Sequence, residues 1–201
     1  MRLSREEAGF TLIELLLVLV ILGIIAVPLS GVVLGYVRNS DATTARMTES
    51  RDAQLSAAYF AQDVASTGAR SATSPYPLVQ SVDDTNAGSW PYPCGTASST
   101  TVVRFASDDY TAPGSAIQIR VAYVRDGTEL HRRTCAGSAT PVSDVVVVHS
   151  LNPASPPVVT CSTTCTSAAV PSMVTMSLSI KDPKNAGAAY VVNLTGQRRQ
   201  T

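Results

Sequence analysis

The sequence predicts an α+β protein: a long apolar N-terminal helix whose second half packs on a mainly antiparallel β-sheet domain. Three observations predict it. An uncharged apolar run occupies Leu15 to Val37. A stretch from Ser40 to Thr67 follows with neither Pro nor Gly and with apolar residues at helical spacing. The rest of the chain is a series of short strand-like runs divided by turn signals.

The elements follow in order. Residues 1–9, MRLSREEAG, are short, charged and polar. Phe10-Thr11-Leu12-Ile13-Glu14 opens the apolar segment, and the uncharged run of about 23 residues behind it matches the roughly 20 that a helix needs to span a bilayer. A helix is required there, because hydrocarbon offers no partner to an open backbone. Residues 10–37 therefore read as the transmembrane half of the helix. Pro28 lies inside it, removes one hydrogen bond and is expected to kink it, while Gly23, Gly31 and Gly35 permit close packing. Residues 38–69 read as an amphipathic continuation. Ala53, Ala57, Phe60 and Val64 form its apolar stripe, with Arg46, Glu49, Arg51 and Asp52 off it. One helix from Phe10 to about Thr67 would reach roughly 85 Å; the alternative is a break near Asn39-Ser40.

Residues 70–201 read as a β-rich globular domain. Ala72 to Pro93 is loop-like, with four prolines, Asp83-Asp84 and Gly88-Ser89. Strands are expected at Thr100–Phe105, Ile117–Arg125, Thr128–Thr134, Asp144–His149, Val158–Cys161, Met173–Ile180 and Ala189–Leu194. Asp126-Gly127 marks a hairpin, and Asp182-Pro183-Lys184-Asn185 a turn.

Charge and composition narrow the function. The 15 basic side chains balance the 15 acidic ones, so the chain lacks the broad positive field of nucleic-acid binders, and no nucleic-acid partner is expected. Arg132-Arg133 and Arg198-Arg199 are too sparse to replace it. No catalytic signature occurs: there is no G-x-S-x-G, Walker loop, H-E-x-x-H or G-x-G-x-x-G, and His131 and His149 stand apart. An enzyme is not expected, nor a cofactor. Cys94, Cys135, Cys161 and Cys165 follow the membrane segment, so they read as disulfides of an oxidising compartment. Three pairings are possible; Cys161 with Cys165 and Cys94 with Cys135 is the favoured one. Spacing speaks against zinc, since no C-x-x-C is present. Asp83-Asp84 and Asp108-Asp109 offer oxygens of the kind calcium takes, but paired loop aspartates are commoner than calcium sites.

The N-terminus holds the functional information. No A-x-A-like site follows the apolar run, so the natural cut lies before it, between Gly9 and Phe10, and leaves the helix on the mature chain. Glu14 is the anomaly, because a carboxylate in an apolar span is costly unless paired. A cut after Gly9 would create a cation of matching depth, the α-amino group of Phe10, most comfortably on a neighbouring subunit. Arg2 and Arg5 ahead of the helix favour a cytoplasmic leader and an outward C-terminal domain.

Gly9-Phe10-Thr11-Leu12-Ile13-Glu14 before an apolar helix resembles the class III signal of type IV pilins and type II secretion pseudopilins. The resemblance covers about a quarter of the chain. It implies a pilin-like fold, cleavage between Gly9 and Phe10 by prepilin peptidase, N-methylation of Phe10, and a filament-assembly salt bridge from Glu14. It implies partners in other pilin or pseudopilin subunits, an inner-membrane assembly platform and membrane lipid. The expected place is the cytoplasmic (inner) membrane, with an extracytoplasmic domain carried into a surface or periplasmic filament. Tyr59-Phe60-Ala61-Gln62-Asp63-Val64 and Val121-Ala122-Tyr123 with Leu130-His131-Arg132 resemble the J-class minor pseudopilins and W-class minor pilins, which implies a minor subunit. The alternative is a pilus-tip binding module for adhesion or DNA uptake.

Overall fold

The computed structural model describes residues 11–71, 75–85, 90–95, 100–112, 115–181 and 188–199. The leader, Gly9, Phe10 and the turn at Asp182–Asn185 lie outside the described residues. The chain divides into two units, Met1–Thr44 and Ala45–Thr201.

One helix, α1 (Leu12–Ser66), supplies the described part of the first unit and continues into the second. Asn39 and Ser40 are helical, so the alternative of a break there is not realised. Pro28 is accommodated inside α1, although it has no N–H to offer the carbonyl of Ile24. Ser30, Thr43 and Thr44 each return their hydroxyl to the carbonyl four residues back, at 2.7, 2.9 and 2.9 Å. Such a bond satisfies the hydroxyl by sharing a carbonyl that the helix already uses, which tends to bend a helix slightly.

The second unit contains residues 45–66 of α1 and two antiparallel sheets. The first sheet has β1 (Val82–Asp83), β2 (Thr101–Ala112), β3 (Ser115–Asp126), β4 (Glu129–Ala136) and β5 (Pro141–Val148), in sequential order. The second has β6 (Val158–Cys161), β7 (Met173–Ile180) and β8 (Tyr190–Gln197), also in sequential order. Sequence reasoning anticipates one sheet; the Pro-rich connection after Leu151 separates two.

Most strands form where the patterns place them, and β6 and β7 coincide with the expected spans. β2 runs further than Thr100–Phe105 because Ala106 to Asp109 pair in register with Ile117 to Arg120, which overrides the turn-like look of Ser107-Asp108-Asp109. β1 arises in the loop-like region, where Val82 pairs with Phe105 and Asp83 with Arg104. The β3–β4 hairpin closes on Gly127 and Thr128, between the paired Asp126 and Glu129. Gly127 has φ +57°, a conformation a residue with a Cβ takes only under strain.

The helix meets both sheets at one core. Phe60 packs edge-on against Phe105 and Tyr123, with ring centroids 5.7 Å away in each case. Val64, Val103, Leu130, Val147, Met176, Leu178 and Leu194 complete the cluster, each almost wholly buried. Gly196 of β8 lies so close to α1 that a Cβ there would stand 2.5 Å from Val64 Cβ. The backbone continues the contact: Arg199 N–H donates to Ala65 O at 3.1 Å.

The buried face of α1 differs from the expected stripe. Phe60 and Val64 are on it and Ala53 is half-buried, but Ala57 is exposed, while Asp52, Ser56 and Asp63 are buried. Counting apolar residues misplaces the face because its polar members have partners. Asp52 accepts the His149 backbone N–H at 2.8 Å and faces its imidazole Nδ1 at 3.1 Å. A buried polar group is tolerable when so bonded.

Candidate assembly site

The first unit presents a surface rather than a pocket. Every described residue from Thr11 to Val37 is exposed, and the best 18-residue window of α1 has a mean hydropathy of 3.0 with none of it buried. An apolar surface of that extent is unfavourable in water and favourable against lipid or other apolar helices. Within it the chain offers one acidic group, Glu14, in the first turn of α1. Thr11 stands at the start: its carbonyl accepts from the N–H groups of Glu14 at 3.1 Å and Leu15 at 3.2 Å. A first-turn position sets the acidic side chain of Glu14 near the positive end of the helix dipole. Its side chain is exposed, available to a cation from outside the chain.

A model of the prokaryotic N-terminal methylation motif matches residues 4–30. The N-terminus carries the type IV pilin and pseudopilin signature. No curated protein and no solved structure matches the chain. The match spans Gly9, Phe10 and Glu14 and extends past Pro28. It thus unites the leader and the exposed apolar helix in one pilin-like element. The pilin motif implies processing by prepilin peptidase and assembly with other pilin subunits. Motif and helix together fit a membrane-anchored protein carried into a filament.

In the second unit, the cysteines are joined as Cys94–Cys135, with Cα atoms 5.7 Å apart, and Cys161–Cys165, at 5.3 Å. The first ties the segment ahead of β2 to β4 and buries both sulfurs beside Ala122 and Val124. The second closes a tight loop at the end of β6. Among the described residues no group of three or more His, Cys, Asp or Glu side chains is placed to hold a metal. Asp83 instead takes the Arg104 guanidinium in a buried pair, with Nε at 3.0 Å.

The charged network that docks α1 escapes sequence reasoning. Asp63 receives Arg132 Nε at 2.8 Å and Nη2 at 2.5 Å, and Tyr123 donates its hydroxyl to the same carboxylate at 2.7 Å. Arg132 also lies over the Tyr59 ring, 4.9 Å from its centroid. Burial, with the charge and hydrogen bond of Asp63, pushes the Tyr123 phenol well above its ordinary range. The bond to Asp63 raises the Arg132 guanidinium against its burial. These residues lie in Tyr59–Val64, Val121–Tyr123 and Leu130–Arg132. Their pairing was not visible, because only the fold brings β3 and β4 to α1.

Proposed function

We propose that this chain is a minor pilin or pseudopilin, a structural subunit of a type IV pilus or type II secretion-like filament. Prepilin peptidase cuts it between Gly9 and Phe10, and the new Phe10 amine is methylated. Glu14 then pairs with the N-terminus of a neighbouring subunit as the apolar helices bundle, with lipid exchanged for subunit surface. Pro28 loosens the helix within the bundle. The domain beyond the helix is extracytoplasmic, which suits two disulfides. The observation that carries this reading is the placement of Glu14, in the first turn of α1 just ahead of the uncharged run Leu15 to Val37 and inside the methylation motif.

The mechanism is assembly rather than catalysis. An unpaired carboxylate drawn into hydrocarbon costs several kcal/mol, by an amount that depends on depth. Pairing with a fixed amine removes that penalty only at one axial offset between subunits. Electrostatics then sets register, while apolar packing, which is tolerant of sliding, supplies adhesion. The experiment is Glu14→Ala in cells that assemble the filament. The variant should be cleaved normally and recovered in filaments at less than about a tenth of the wild-type level. Wild-type incorporation would remove Glu14 from the mechanism.

A further inference from the structure

A cleft of about 1100 Å³ opens in the second unit, between β3, the 75–79 loop and the segment just past α1. Its size suits a ligand of two or three sugar rings, being at the upper end of small-molecule sites. Two arginines line it. Arg120 is held by neutral acceptors: Nη1 donates to Ser138 O at 3.0 Å and Nη2 to Gln118 Oε1 at 3.1 Å. Its Nε is buried with no partner, and no carboxylate pairs with it among the described residues. The guanidinium is thus held in place by neutral groups, outside any ion pair among the described residues. Arg70 is exposed beside it, also outside any ion pair among the described residues.

The walls are aromatic. Tyr76 is 52% exposed and has φ +52°, the one non-glycine residue with positive φ among the described residues. Such backbone strain persists where the surroundings fix it, and often at ligand clamps. Tyr92 is anchored from behind by Trp90, edge-on at 5.4 Å, and Trp90 in turn carries the Arg104 cation, itself paired with Asp83. Asp108 also lines the cleft, its Oδ2 receiving the Arg70 backbone N–H at 2.6 Å. Aromatic faces, two guanidinium groups and one carboxylate form a set that suits a ligand with an apolar ring face, an acid and hydroxyl donors. A bare anion would meet Asp108, and a basic ligand would meet both arginines.

We propose that this cleft binds an acidic sugar residue, its carboxylate taken by Arg120 and Arg70 and its ring laid against Tyr76 and Tyr92. Asp108 accepts from the sugar hydroxyls. Arg forks match carboxylates in a way a neutral sugar cannot exploit, so the acid group sets specificity. The cleft is built from residues of the second unit alone, and the proposal does not depend on the filament reading.

The test is calorimetry on the full chain in detergent micelles, with trigalacturonate, cellotriose and inorganic phosphate as probes. Trigalacturonate should bind with a sub-millimolar Kd, at least tenfold tighter than cellotriose or phosphate. Arg70→Gln and Arg120→Gln should each weaken it tenfold or more, and Tyr76→Ala should weaken it as well. Arg70 is exposed, so R70Q should keep the wild-type melting temperature. No binding of trigalacturonate at millimolar concentration would overturn the proposal. Equal affinity for cellotriose or phosphate, or wild-type binding by a well-folded R70Q, would do so too.

Discussion

Asp63 on α1 and Arg132 on β4 are 69 positions apart in the chain, yet form a two-bonded ion pair at 2.8 and 2.5 Å. The Asp63 side chain is 4% exposed and that of Arg132 15%, so water screens the pair little. Asp63 lies between Phe60 and Val64 on α1, so the ion pair and the core contacts call for the same rotation of residues 45–66 about the helix axis. Apolar packing alone would tolerate a slip that a charged, directional pair does not.

Removing one member leaves the other charge buried and unpaired. Asp63→Ala should therefore cost about 3–5 kcal/mol, or a fall in melting temperature on the order of 10 °C. Thermal melts of the full chain in micelles check it. Asp63→Leu combined with Arg132→Leu should cost less than the sum of the single changes. Additive losses would mean that the two side chains act independently.

Tyr123 gives a pH dependence on the alkaline side. Its folded pKa is raised, chiefly by burial and then by Asp63, so the folded state favours the protonated phenol. Above about pH 10 an unfolded Tyr releases its proton while the folded one keeps it. Stability from this group is thus fully present below that pH and falls as pH rises beyond it. Tyr123→Phe should lose about 1 kcal/mol at neutral pH with its hydrogen bond, and should show a flatter alkaline limb than wild type. Parallel limbs in denaturant titrations from pH 8 to 11 would exclude Tyr123 as the source.

Gly196 is the tightest point between β8 and α1. A methyl group there would overlap Val64, with Cβ, Cγ2 and Cγ1 at 2.5, 2.8 and 3.0 Å. Gly196→Ala should cost about 1–3 kcal/mol by overpacking, and Val64→Ala in the same chain should recover part of it. A neutral Gly196→Ala in chemical denaturation would show that β8 moves freely away from the helix.

How much was legible in the sequence follows from range. The helix and the hairpin at Gly127 are local: hydropathy, the absence of breakers, and one Asp-Gly step write them into adjacent residues. β6 and β7 are short runs bounded by turn signals, and they form where the pattern places them. The buried face of α1 was not legible, because Asp52 reads as lying off the apolar stripe, and the partners of Asp52 and Asp63, His149 and Arg132, come from distant parts of the chain. β1 is two residues long and exists only through its pairing with β2. At the N-terminus, Gly9, Phe10 and Glu14 lie close together in sequence, within the residues 4–30 that the methylation motif matches.

The central claim concerns the chemistry at Gly9-Phe10, which N-terminal sequencing and intact mass of the membrane-extracted protein read directly. Expressed with prepilin peptidase, the chain should begin at an N-methylated Phe10; without the peptidase it should keep its leader. A product that retains residues 1–9 in the presence of active peptidase, or that begins beyond Phe10, would contradict the account.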